Sequence, residues 1–361
     1  MTLLILLTRA DTGGAQTHVL DLATGAHKHG LDVVVVAGHP GWLAERLCEQ
    51  GIRFIPLRFL KRSWNPLRAL VALVEIWTVV CRVKPDVIHS HSLAAMLGLT
   101  RANRHRTVFT IHGLSVLDRG WVGSAMLKPI YVWLFDHLAR SVGRIIFVCR
   151  ADQAVIATRG WLRPEQSVIV LYGVPASNFF PVPSDGRPFT VGVVARLSPQ
   201  KNVGLLLEAA QLLRDKSYRF VVVGDGPERA ELETCKHRLV LDTVTFLGER
   251  DDAASLMSSF DLLAVPSRWE GLPYVILEAG VASVPVVATR VCGVPEIIED
   301  GATGRLVASG DARGLAEAID WCAQHPNERH ALAHALHDRV VRDFSVERMI
   351  RETLDVYTSL L

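Results

Sequence analysis

Short apolar runs recur along the whole chain, separated by helix-patterned stretches. In the first half they are Leu3–Leu7, Val33–Ala37, Phe54–Leu57, Val87–His89, Val108–Ile111, Ile145–Val148 and Val168–Leu171. In the second half they are Thr190–Val194, Phe220–Val223, Val244–Leu247, Leu262–Val265 and Val286–Ala288. Runs of four or five residues rich in Val and Ile read as strands buried on both faces, and such strands are parallel. The stretches between them, such as Gln16–His29, Leu205–Leu213 and Arg313–Ala323, carry helical periodicity. This alternation predicts an α/β chain with parallel sheets. Seven runs and then five predict two doubly wound domains, parted where Pro175, Pro181, Pro183 and Pro188 gather. The domains are expected over 1–172 and 189–345, with a linker over 173–188. A length of 361 residues fits two domains of about 150 residues.

Composition removes several classes. With 49% hydrophobic and 21% charged residues, the chain is neither disordered nor fibrous. A net charge of +2 argues against a strongly basic nucleic-acid binder. The charge is nevertheless uneven. Residues 1–172 hold 20 Lys and Arg against 11 Asp and Glu (+9), and the remainder holds 19 against 26 (−7). That asymmetry suggests a basic face for an anionic partner, such as a membrane surface or a phosphorylated substrate, or simply uneven placement. Cys48, Cys81, Cys149, Cys235, Cys292 and Cys322 are scattered without a C-x-x-C pair. They define neither a disulfide framework nor a zinc signature and read as reduced thiols. The start, Met1 to Leu7, runs straight into Arg9, Asp11 and Gly13-Gly14, which predicts a first strand and turn rather than a signal peptide. Pro66–Val83 is apolar but interrupted by Arg68, Glu75 and Arg82, so it reads as a helix packed on a sheet, not a membrane span.

In doubly wound proteins ligands lie beyond the carboxyl ends of the strands, so the turns after strands carry the chemistry. Thr12-Gly13-Gly14 precedes a helix, where paired glycines let backbone approach an anion, although a plain turn reads the same. His89 and His91 share a side of their strand, and a metal pair is conceivable, yet no third ligand is near in sequence. His112, before Gly113, ends another strand and either faces the crevice or caps backbone. Arg196 and Lys201 stand in a strand-to-helix loop and suit a diphosphate without a metal ion. Gly224 and Gly226 punctuate the next such loop and could simply turn the chain. Most informative is Pro266-Ser267-Arg268-Trp269-Glu270-Gly271-Leu272-Pro273-Tyr274-Val275-Ile276-Leu277-Glu278-Ala279. Glu270 lies in the loop, Glu278 lies on the helix, and the helix N–H groups are available for an oxyanion or phosphate. Glu278 sits among apolar residues, where a carboxylate needs a partner.

These segments, with Thr110-Ile111-His112-Gly113, Val284-Pro285-Val286 and Gly293-Val294-Pro295-Glu296, resemble the retaining glycosyltransferases of family 4. The resemblance runs in order from Leu3 to about Arg342. It implies the GT-B fold, two Rossmann-like domains facing a central cleft, with residues 346–361 crossing back to the N-terminal domain. It implies a UDP- or GDP-sugar donor on the C-terminal domain. Arg196 and Lys201 would then neutralise the leaving diphosphate. Glu270, with the Gly271, Leu272, Pro273 and Tyr274 backbone, would meet the donor, and Glu278 the ribose. Gly13 and Gly14 would approach the diphosphate, and His112 the donor sugar. No metal and no cofactor is implied, because the nucleotide-sugar is a substrate. The acceptor, polyprenyl-diphosphate-linked or an oligosaccharide, would bind the N-terminal domain.

Two stretches mix cations and aromatics: Arg58, Lys61, Arg62 and Trp64 in the first, Trp121, Lys128 and Trp133 in the second. They suggest peripheral contact with an anionic membrane from the cytoplasmic face, although Tyr131, Trp133 and Phe135 would also suit a core. His330, His334 and His337 share a helix face and suit either a chance metal site or a solvated helix. Alternatives are a sugar-nucleotide isomerase of the 2-epimerase kind on the same fold, or a non-catalytic nucleotide-sugar binder. A dinucleotide dehydrogenase is disfavoured, since G-x-G-x-x-G is missing.

Overall fold

The computed structural model describes residues 1–60, 66–114, 128–160, 162–175 and 186–361. They form two compact units, Met1–Gly173 with Val346–Leu361, and Val174–Ser345.

The first unit runs β1 (Thr2–Leu6), α1 (Gly14–Lys28), β2 (Asp32–Ala37), α2 (Trp42–Glu49), β3 (Arg53–Pro56), α3 (Pro66–Val83) and β4 (Val87–Ser90). It continues with α4 (Leu93–Met96), α5 (Arg101–Arg104), β5 (Thr107–Ile111), α6 (Lys128–Ser141), β6 (Arg144–Phe147), α7 (Arg150–Thr158) and β7 (Ser167–Ile169). The seven strands are parallel, in the order β3-β2-β1-β4-β5-β6-β7. Alternation in β1 shows why its run is continuously apolar. Leu3 and Ile5 join the core beneath α1 and α2, whereas Leu4 and Leu6 join the opposite core beneath α3. Each face is covered by helices, so no position can be polar without a partner.

The second unit runs β8 (Thr190–Val194), α8 (Val203–Leu212), β9 (Arg219–Val223), α9 (Arg229–Arg238), β10 (Val244–Gly248), α10 (Ala253–Met257), β11 (Leu262–Val265) and α11 (Tyr274–Val281). It ends with β12 (Val286–Thr289), α12 (Val294–Ile297), β13 (Arg305–Val307), α13 (Ala312–Gln324) and α14 (Pro326–Asp343). Its six parallel strands are ordered β10-β9-β8-β11-β12-β13. The sequence pattern foresaw five strands here. β13 escaped it because it is a half-buried edge strand of three residues that begins with Arg305. An edge strand of that length leaves no apolar run to read.

The last helix, α15 (Val346–Thr358), belongs to the first unit and packs on α1. Gly25 in the middle of α1 permits this approach. A Cβ there would lie 2.2 Å from Cδ1 of Ile350. In both sheets the strand order reverses once, between β1 and β4 and between β8 and β11. Loops diverge at such a reversal and leave a crevice at the carboxyl end of the sheet. Most of the residues singled out from the turns stand in or beside those loops.

Candidate functional site

In the second unit, the loop after β8 is clamped by the loop after β9. The Ala195 N–H donates to Val223 O at 3.0 Å, and the Leu197 N–H to Asp225 O at 2.9 Å. Gly224 and Gly226 are glycine because this approach is close. A Cβ would stand 2.0 Å from Ala195 O at the first and 2.3 Å from Leu197 O at the second. Leu197 is buried beneath the clamp, and Arg196, between two fixed neighbours, points to solvent. Arg196 has no ion-pair partner among the described residues.

Three successive residues then reach across the sheet reversal to the loop after β11. Gln200 donates from Nε2 to Trp269 O at 3.1 Å, and Asn202 from Nδ2 to Pro266 O at 3.3 Å. Between them Lys201 Nζ lies 2.6 Å from Glu270 Oε1. The Ser267 hydroxyl donates to the same oxygen at 2.6 Å. Thr289, at the end of β12, donates to Ser267 O and fixes that turn. Glu270 is 6% exposed. Burying a carboxylate is costly unless it is paired and hydrogen-bonded, and this one is both. Sequence reasoning singled out Arg196, Lys201 and Glu270 but missed the bracing roles of Gln200, Asn202, Ser267 and Thr289. Their only signal was polarity at the mouths of otherwise apolar strands.

Helix termini face the same loops. α8 and α11 have neither a capping side chain nor an acid in the first turn. Their first N–H groups are left for water or a ligand. Gly271, Leu272, Pro273 and Tyr274 are buried, so what Leu272 and Tyr274 can offer a ligand is backbone. Glu278, one turn into α11, is half-buried. Desolvation pushes its carboxyl above the usual range.

In the first unit a cavity of about 310 Å³ opens at the sheet reversal. Thr8, Arg9 and Gln16 line it from the β1 side, and His91, Ser92 and His112 from β4 and β5. Phe109, Tyr131 and Phe135 supply aromatic walls. His112 is not free, because its two ring nitrogens face Tyr172 OH and, at 2.8 Å, His91 Nδ1. Behind them His18 and His89 complete a cluster of four imidazoles. His18 contacts Met349 Sδ at 3.1 Å, and His89 Nδ1 meets Tyr357 OH at 2.6 Å, so α15 closes the cluster. Burial keeps all four neutral. It lowers His89 to about 3 and His112 to about 4. His18 and His91 are also held well below the usual imidazole range, chiefly by desolvation. Among the described residues no group of His, Cys, Asp or Glu is placed to hold a metal ion. His18, His89, Tyr172 and Tyr357 were not foreseen as one cluster, since they are distant in sequence and meet only through strand order.

Gly13 precedes α1, which has neither a side-chain cap nor an acid in its first turn. A Cβ on Gly13 would meet only the movable Gln16 amide, and its φ of 166° is extended. Packing within the unit therefore does not demand glycine there. Gly14 is the first residue of α1.

Of the basic and aromatic stretches, Lys61, Arg62, Trp64 and Trp121 lie outside the described residues. Arg58 is exposed, Lys128 half-buried, and Trp133 64% exposed, whereas Phe135 is core. Among the late histidines, His337 Nδ1 lies 3.1 Å from the carbonyls of Gly280 and Val281, where it closes the end of α11. No described helix is long and apolar enough to cross a membrane.

Residues 12–178 match the Glycosyltransferase Family 4 model, and residues 188–325 match Glycosyl transferases group 1. A curated relative from Escherichia coli is the UDP-Gal:alpha-D-GlcNAc-diphosphoundecaprenol alpha-1,3-galactosyltransferase. It is 22% identical over 92% of this chain and 90% of its own. A lipopolysaccharide core biosynthesis mannosyltransferase of Rhizobium meliloti is 29% identical over 62% of this chain and 70% of its own. Among solved structures, Anabaena HepE in complex with UDP and glucose superposes with a TM-score of 0.85 at 23% identity. The match covers 99% of this chain and all of that one (100%).

Proposed function

The chain belongs to glycosyltransferase family 4 and has the GT-B fold, and from that premise we propose a retaining, metal-independent hexosyltransferase of polysaccharide or glycoconjugate synthesis. Its donor is a UDP- or GDP-sugar, and its acceptor is lipid-linked or a saccharide, used at the cytoplasmic face of an anionic membrane.

The observation that carries this reading is the zipped pair of loops in the second unit. An exposed cation, Arg196, stands beside Lys201, which spends one of its three donors on Glu270 and keeps two. Two uncapped helix N-termini adjoin them. Such a set suits a diphosphate whose charge grows as the glycosidic bond breaks. The bonding pair leaves with the diphosphate, and the acceptor hydroxyl attacks the anomeric carbon on the same face. The hydroxyl proton passes to the departing phosphate oxygen. No protein nucleophile is needed, and Glu270, whose Oε1 is already held by Lys201 and Ser267, is poorly suited to be one. Glu270 instead holds Lys201 and meets the transferred sugar. Glu278 takes the ribose hydroxyls, which would give that desolvated carboxyl its partners. Gly13 and Gly14 bring backbone to the diphosphate, and His112 meets the donor sugar. The cavity that His91 and His112 line, polar on one side and aromatic on the other, suits an acceptor sugar.

A thermal-shift screen with UDP-, GDP- and ADP-sugars tests the donor, since a ligand of the folded state raises the melting temperature. One nucleotide class should stabilise, with EDTA present. Proton NMR of the product should show the donor's anomeric configuration. Release of an epimerised sugar without acceptor would overturn the reading in favour of an isomerase.

A further inference from the structure

α3 wears its apolar side outward. Leu70 is 59% exposed, Val71 41%, Val74 54% and Trp77 51%. From Leu70 to Val83 the only exposed positions besides these are Cys81 and, at the end, Arg82. A surface helix places polar residues there. The helix has a carboxylate, but it is turned away. Glu75 accepts the backbone N–H of Arg58 at 3.2 Å and that of Phe59 at 3.0 Å. This holds the backbone of two exposed residues, Arg58 and Phe59, beside the middle of the helix. Beneath, Ala72, Ile76 and Val80 fill the sheet core, and the outer stripe is outside that core.

α6 repeats the pattern. Its Phe135 and Leu138 pack under Phe109, which pairs with Ser90, which in turn pairs with Leu6 above α3. Both helices therefore cover the same sheet face, and on its outer side α6 exposes Ile130 and Trp133.

We propose that this side of the first unit docks on an anionic lipid bilayer, with α3 lying in the plane of the interface. Tryptophan beside aliphatic side chains suits the boundary between headgroups and acyl chains. Arg58, beside the middle of the stripe, and Arg82, at its C-terminal end, have side chains in no ion pair among the described residues. The +9 charge of residues 1–172 favours an anionic surface and opposes a second copy of itself. The inference rests on the membrane part of the function proposed above and names the surface that serves it.

Sedimentation of the full chain with vesicles tests it. The protein should pellet with phosphatidylcholine vesicles enriched in phosphatidylglycerol, less so in high salt, and little with phosphatidylcholine alone. Val74→Glu with Trp77→Glu should lower the bound fraction about tenfold. Leu212→Glu with Val341→Glu, which puts the same charge on exposed apolar side chains of the second unit, should leave it unchanged. Trp77→Ser serves if the double variant melts early. Equal pelleting of wild type and variants overturns the proposal, as does failure of the wild type to pellet. So does a wild-type dimer that Trp77→Ser dissociates, because the stripe is then a self-interface. The thermal shift with nucleotide-sugars separates the two readings. A shift without vesicle binding sinks the membrane face alone, and vesicle binding without a shift sinks the donor.

Discussion

At the sheet reversal of the second unit, one oxygen of a buried carboxylate is held by a lysine and a serine hydroxyl. At that of the first unit, four imidazoles gather with ring centroids 4.1–5.5 Å from their neighbours. One crevice is built from charges and the other from neutral groups that burial keeps neutral. Charges suit an anion that is bound and then leaves more negative. Neutral donors and acceptors suit hydroxyls, and four buried imidazoles make the first unit the more sensitive to acid.

The largest effect should come from the two cations, which behave differently when removed. Arg196→Ala should lower kcat by about 10²–10³, the scale of an oxyanion donor, and leave the melting temperature unchanged, because the side chain is exposed and unpaired. Lys201→Ala should lose as much turnover and also cost about 3–5 kcal/mol of stability, since it strands Glu270 in the interior. Turnover and thermal denaturation, measured on both variants, decide this. An Arg196→Ala enzyme of normal kcat would remove the diphosphate assignment.

Next comes Glu278. Glu278→Gln should raise the donor KM about 10- to 100-fold, the worth of a hydrogen bond to a charged group. The same change should stabilise the free protein at neutral pH. The folded carboxyl titrates above its ordinary value, so its stability is complete below that value and is lost as the pH rises through the folded one. The gain in melting temperature should therefore vanish in acid, where the wild-type carboxyl is already protonated. A variant less stable than wild type at neutral pH would mean that the carboxylate has a partner in the free protein.

The histidine cluster has the opposite sign. Folded His89 titrates at about 3 and His112 at about 4, against an ordinary 6.5. Their stability is whole above 6.5 and falls with pH toward the folded values. At about pH 5 the uncharged state of His89 alone costs about 2 kcal/mol relative to neutrality. Urea denaturation at about pH 7 and about pH 5 should show the loss, and His89→Asn should flatten the slope by about that amount. An unchanged slope would show that water reaches the ring.

How much of this could be read from residues differs between the units for the same reason. The second unit's candidate site is two contiguous motifs, Arg196 to Asn202 and Pro266 to Glu278, so Arg196, Lys201, Glu270 and Glu278 could be singled out from the sequence as candidates. Of the first unit's histidine cluster only His112 was singled out, with His89 and His91 as a weak pair. Their true neighbours, His18, Tyr172 and Tyr357, arrive from α1, the chain after β7 and α15. Strand order and the returning helix bring them together, and no local pattern encodes that. The strands themselves were legible because burial on both faces makes them continuously apolar, and β13 failed that condition. The apolar length of α3 was legible as a packed helix, but which half of it packs was not, because both halves are apolar.

The smallest effect sharpens the contrast without touching either crevice. Val240 ends α9 with φ of 52° and is 75% exposed. Its N–H donates to His237 O at 3.2 Å, and the Leu241 N–H donates to Lys236 O at 3.2 Å, the paired bonds of a helix ending that wants a left-handed residue. A β-branched side chain in that conformation is strained by about 1–2 kcal/mol, whereas glycine is not. Val240→Gly should therefore stabilise the second unit by about 1 kcal/mol, raising its melting temperature by about 2–4 °C. Turnover and the pH slope from the histidines should stay as they are, because Val240 touches neither. A gain in stability that also altered the pH slope would show that the two units do not answer acid separately.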